Sequence, residues 1–95
     1  MFLGLDISTS ITGATILDKD GKIVYNDSWD TRKFKNFFEK AKFIEDKIKK
    51  LNHPVQKIYI EQSLQSFRSG FSSAKTLSTL SRFNGVVSWL AYTIL

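Results

Sequence analysis

The chain has 95 residues, of which 42% are hydrophobic, 14% aromatic and 24% charged, with a formal net charge of +5 and no cysteine. That length excludes more than one domain of ordinary size, and the apolar content excludes a disordered chain. Disulfides and thiolate metal sites are excluded with the cysteines, so a metal would need oxygen ligands or the single His53. No long apolar run and no basic segment leading into an apolar stretch occurs at the start, which predicts neither a membrane span nor a secretory signal and makes the cytoplasm the expected location.

Charge is unevenly placed. Residues 1 to 31 carry five acids against Lys19 and Lys22, whereas residues 32 to 95 carry twelve basic residues against Glu39, Glu45, Asp46 and Glu61. A basic surface of this kind suits a polyanionic partner. Glu61 is the only acid between Lys47 and Leu95, and it stands where an apolar strand pattern stops.

Residues 2 to 8, FLGLDIS, and 11 to 17, ITGATIL, are compact apolar runs joined by Thr9 and Ser10, and both read as strands. Asp18-Lys19-Asp20-Gly21 is a turn, with Gly where a positive φ is wanted, and the alternating KIVYNDSW after it completes a hairpin. Asp30 or Thr31 is a candidate cap for a helix from about 33 to 51, in which Phe34, Phe37, Phe38, Ala41, Ile44, Ile48 and Leu51 share one face. Phe43 falls opposite that face, and the lysines cover most of the remainder. Asn52-His53-Pro54 ends the helix, with His53 read as a residue near its negative end.

VQKIYI, 55 to 60, is the fourth strand. A stretch rich in Ser and Gln, 62 to 72, leads to Ser72 or Ser73 as a cap. A last helix then carries Leu77, Leu80, Val87, Ala91 and Ile94 on one face, with Gly85 as a close-packing point against the sheet. A strand reached through a helical crossover is usually parallel to the strand that it joins. Strand four therefore belongs beside strand one, which brings Asp6 and Glu61 to the same carboxyl edge, where open α/β sheets place their sites.

Two carboxylates at one edge repel each other unless one is protonated or a divalent cation lies between them. Cations held by oxygen ligands can activate water and polarise a phosphodiester, so phosphodiester hydrolysis is the expected chemistry, with Asp6 and Glu61 as catalytic and metal-ligating residues. The other acids have simpler uses: Asp18 and Asp20 suit the hairpin turn. Leu64, Gln65, Phe67, Arg68 and Ser69 follow Glu61 directly, and Lys75 follows them. An aromatic that can stack on a base beside a cation that can meet phosphate makes this set the DNA-binding candidate.

FLGLDISTSITGATIL, then KIYIEQ, then SAKTLSTLSRFNGVVSWLAY, in that order, resembles the RuvC-type Holliday junction resolvases of the RNase H-like superfamily, particularly divergent phage-like members. Asp6 in Gly4-Leu5-Asp6 matches the family's first catalytic acid, and Glu61 in Ile60-Glu61-Gln62 matches its second. The resemblance implies an α/β RNase H-like fold, with a three-stranded antiparallel meander, a parallel strand and flanking helices. It implies a Mg²⁺- or Mn²⁺-dependent endonuclease that resolves four-way junctions and other branched DNA in recombination and repair. It also implies a homodimer through the 73–95 helix, with Trp89 and Tyr92 at the interface, and Leu64 or Phe67 as a wedge entering the junction. Two further acids of that family lie in a D-x-x-D pattern past the point corresponding to Leu95, so residues 1 to 95 are expected to be the amino-terminal part of a single such domain, incomplete before its last strand and helix.

Two other functions fit parts of the pattern. Asp6-Ile7-Ser8-Thr9-Ser10 with Thr12-Gly13 also looks like the first phosphate motif of sugar kinases and actin-like ATPases, which usually carry Gly where Ser8 stands. A non-catalytic binder of branched DNA would keep the basic surface without need of the acids.

Overall fold

The computed structural model describes the backbone of residues 1 to 61 and 74 to 95, and the side chains of residues 1 to 60 and 78 to 95. Among the described residues, four strands and two helices follow in the order β1 (Phe2–Asp6), β2 (Ile11–Leu17), β3 (Ile23–Asp30), α1 (Phe37–Lys49), β4 (Lys57–Glu61) and α2 (Ala74–Ile94). The strands form one mixed sheet in the order β3-β2-β1-β4, a small α/β arrangement in which β1 pairs antiparallel with β2 and parallel with β4.

The hairpin between β2 and β3 forms for the expected reasons. Asp18 Oδ1 accepts hydrogen bonds from the backbone N–H groups of Asp20 and Lys22, both at 2.9 Å, and Gly21 takes φ +83°. That conformation is close to free for glycine and strained for other residues.

One face of the sheet carries the core. Leu3, Leu5 and Ile7 from the β1 run meet Ala14 and Ile16 of β2 and Trp29 of β3, and onto them pack Ala41, Ile44 and Ile48 of α1 and Phe83, Val87, Leu90 and Ala91 of α2. Phe37 of α1 meets Phe83 of α2 edge to face, with ring centres 5.4 Å apart. Both helices therefore cover the same face.

Helix α1 begins later than its apolar pattern predicts, and its cap is neither Asp30 nor Thr31. Asp30 holds Arg32 through both of its oxygens, while Thr31 Oγ1 donates to the carbonyls of Thr9 and Ser10 at 3.0 and 3.1 Å. Asn36 caps instead, its Oδ1 accepting from the N–H groups of Phe38 and Glu39. Within the helix Phe37, Ala41, Ile44 and Ile48 turn inward, while Phe38 is left 76% exposed. Phe34, outside the helix, folds back on Phe43, with ring centres 5.4 Å apart, and covers a ring expected to be bare.

In α2 the inward face includes Phe83, which is fully buried, and excludes Gly85, which is exposed. A Cβ added at Gly85 would meet nothing within 4 Å, so the glycine is not a close-packing point. Gly85→Ala is therefore expected to raise stability by about 0.8–1 kcal/mol, the usual difference in helix propensity, measurable as an increase in the urea midpoint with unchanged slope. The caps expected at Ser72 or Ser73 lie outside the described residues. His53 lies beyond the end of α1 and packs on Tyr25 of β3, ring centres 6.1 Å apart. Among the described residues no helix is long and apolar enough to cross a membrane.

Candidate functional site

The parallel pairing of β1 with β4 puts Phe2 opposite Lys57, Gly4 opposite Tyr59 and Asp6 opposite Glu61. Asp6 and Glu61 are the last residues of their strands, so the two backbones present their acids at one edge and at one level. Adjacent strands run about 4.8 Å apart, close enough for one small cation to be shared by residues at such a pair.

Asp6 is exposed, and among the described residues its carboxylate makes no hydrogen bond or ion pair. The turn that follows closes without it. Ser8 Oγ accepts from the Ser10 N–H at 3.2 Å, and Thr12 Oγ1 donates to the Ser8 carbonyl at 3.1 Å while accepting from the Ser8 N–H at 3.4 Å. Thr31 ties the same turn to the end of β3, and Lys40 reaches across from α1, its Nζ donating to the Thr9 carbonyl at 2.6 Å. A turn tied from three sides fixes the strand end that leads into it, and it leaves the Asp6 carboxylate free for a ligand.

The sheet face turned away from the helices is open beside Asp6. Gly4, Leu5, Asp6, Gly13, Thr15, Tyr59 and Ile60 line a shallow groove of about 360 Å³. Gly13 pairs with Asp6, and a Cβ placed on it would come 3.7 Å from the Asp6 Cβ. The two glycines thus keep the floor low next to the acid. Phe2 and Tyr59 meet edge to face at 6.3 Å across β1 and β4.

A third acid, Asp30, ends β3 and pairs with Ile11 at the same edge, two strands away from β1. Its hydrogen bonds from the Arg32 guanidinium, at 2.6 to 3.1 Å, and from the Arg32 backbone N–H hold its carboxyl down at about 2, against an ordinary 3.8. A depressed carboxyl stays ionised at neutral pH, and its interaction with Arg32 is lost only as the pH falls through that low value. Arg32→Ala is expected to bring the Asp30 titration back to the ordinary carboxylate range, as followed by NMR of the side-chain carboxyl. Asp30 is thus occupied, unlike Asp6.

Among the described residues no three His, Asp or Glu side chains converge. Asp6 and Glu61 end adjacent strands at paired positions, and carboxylate oxygens are the donors that hard cations such as Mg²⁺ take. Leu64, Gln65, Phe67, Arg68 and Ser69 lie outside the described residues; Lys75 falls in α2, and its side chain lies outside them as well. Gly4 and Gly13 beside Asp6, and Lys40 beneath its turn, escape a reading of the sequence because strand register and a contact across 31 positions bring them there. The Thr12-Gly13 pair is visible in the sequence as a phosphate-type motif, but Thr12 is buried and bonded to the Ser8 backbone.

No family model, no curated protein and no solved structure matches the chain.

Proposed function

We propose that the chain is part of a metal-dependent endonuclease of RNase H-like, RuvC-type character acting on branched DNA. The observation that carries this reading is the register pairing of Asp6 with Glu61 at the ends of adjacent parallel strands. A meander followed by a parallel strand added beside β1 agrees with that fold family, and the net charge of +5 suits a nucleic-acid substrate.

Asp6 and Glu61 would hold a divalent cation, Mg²⁺ or Mn²⁺. Bound there, the cation would lower the pKa of a coordinated water and offset charge developing on the phosphate. The chain's own part would be to bring Asp6 and Glu61 to one edge, with the Asp6 carboxylate making no hydrogen bond among the described residues and the turn after it anchored by Thr31 and Lys40. The groove paved by Gly4 and Gly13 gives the substrate an approach along the open sheet face. Leu64, Gln65, Phe67, Arg68, Ser69 and Lys75 are proposed to contact the DNA. Exposed Trp89 and Tyr92, three positions apart on α2, support a homodimer through that helix.

The test is incubation of the chain with labelled four-way junctions in Mg²⁺ or Mn²⁺. Paired incisions near the branch point support the reading, and junctions left intact while still bound support a second one. That second reading, a branched-DNA binder without cleavage, is favoured by the placing of Asp30, the other acid at this edge, which lies two strands from β1 and is held by Arg32, so that no three acids converge among the described residues.

A further inference from the structure

The surface of α1 divides into three stripes. Ala41, Ile44 and Ile48 enter the core. Lys42, Glu45, Asp46 and Lys49 form a second stripe in which the charges neutralise one another, with Lys42 bound to Glu45 at 2.8 Å and Lys49 at 3.6 Å from the same carboxylate. The third holds Lys40, Phe43, Lys47 and Lys50, spaced by three and four residues and so on one side of the helix.

This third stripe gathers cations round a ring; Glu39, four residues before Phe43, borders it and makes no ion pair with these lysines among the described residues. Lys47 Nζ lies 5.4 Å from the centre of the Phe43 ring, and Lys33 Nζ lies 5.5 Å from the same ring and 5.1 Å from Phe34. Among the described residues none of Lys33, Lys47 and Lys50 pairs with a carboxylate; Asp30, whose charge Lys33 does feel, is held by Arg32. Two ammonium groups gathered on one ring repel each other, and they sit on the surface where a shared anion would relieve that repulsion. Lys40 begins the stripe, and its Nζ lies on the Thr9 carbonyl of the turn that follows Asp6. The cationic track therefore starts at the turn that follows Asp6, on the helix-covered side of the sheet, and leads away from it.

We propose that Lys33, Lys40, Lys47 and Lys50, arranged around Phe34 and Phe43, form a track for the phosphodiester backbone of nucleic acid that reaches the Asp6–Glu61 edge. This rests on the nuclease reading and names a surface that it uses for substrate. A line of cations that continues from the site suits a polyanion running past it. A membrane surface suits it less well, because the apolar stripe of α1 is buried in the core and the rings on this side, Phe34 and Phe43, pack on each other under lysines.

The experiment is metal-free binding of a fluorescent DNA duplex by anisotropy across a salt series, with two charge-matched variants. Lys33→Gln/Lys47→Gln removes two cations of the track, and Lys42→Gln/Lys49→Gln removes two that are already paired. The first is expected to weaken binding at least tenfold at low salt and to reduce the slope of log K against log salt by about 1.8, roughly 0.9 for each phosphate no longer neutralised. The second is expected to leave the slope unchanged. Equal slopes and equal weakening in both variants would overturn the track in favour of general charge attraction. Unchanged DNA binding with abolished sedimentation on phosphatidylserine vesicles would overturn it in favour of a membrane surface. Both readouts are independent of cleavage, so a dead nuclease site and a false track give different results.

Discussion

Asp6→Asn is expected to abolish metal-dependent cleavage of four-way junctions while leaving the fold and junction binding intact. The substitution keeps the size of the side chain and removes its charge, which supplies most of a carboxylate's attraction for a divalent cation. Since a metal contributes several kcal/mol of charge stabilisation to such a transition state, the rate should fall by roughly 10²–10³-fold or more. Stability should not move, because Asp6 is exposed and makes no hydrogen bond among the described residues, and the turn after it is closed by Ser8, Thr12, Thr31 and Lys40. Glu61→Gln is expected to behave in the same way. Junction cleavage that survives either change would remove these acids from the chemistry.

Phe83→Ala should be the most damaging single change in the core. Phe83 is fully buried and meets Phe37 edge to face, so it joins α2 both to α1 and to the sheet. Truncation of a buried phenylalanine costs about 3–5 kcal/mol, against a total of roughly 5–14 kcal/mol for a domain of this length. The urea midpoint should therefore fall by a large fraction of its value, or the variant should be partly unfolded in water. A destabilisation below about 1 kcal/mol would mean that α2 is not seated on the sheet through this residue.

The parts legible in the sequence were those set by local chemistry or by handedness. Asp18 and Gly21 specify their turn within four residues, and the crossover from β3 through α1 to β4 brings β4 to β1 and Asp6 level with Glu61. What escaped depends on partners far along the chain. The start of α1 moved to Asn36 because Asp30 and Thr31 are engaged elsewhere, Thr31 with carbonyls more than twenty residues away. That shift left Phe34 outside the helix and over Phe43, while Phe38 lies at the margin of the inward face and is exposed. In α2 the face expected from periodicity held Val87 and Ala91, which are buried, but it missed Phe83 beside them, and Gly85 proved exposed and not a close-packing point. Of the candidate site, the two acids were legible from the strand ends; the glycine floor beside Asp6 and the Lys40 anchor were not, since both follow from register and tertiary contact.

The claim that Asp6 and Glu61 share one cation is open to a direct measurement that needs no substrate. Mn²⁺ titrated into ¹⁵N-labelled protein broadens amide signals close to where it binds. The expected result is early and selective disappearance of the signals of Asp6, Ile7, Gly13, Ile60 and Glu61, abolished by Asp6→Asn. Broadening confined to the hairpin acids Asp18 and Asp20, or spread evenly over the acidic residues and unaffected by Asp6→Asn, would contradict it.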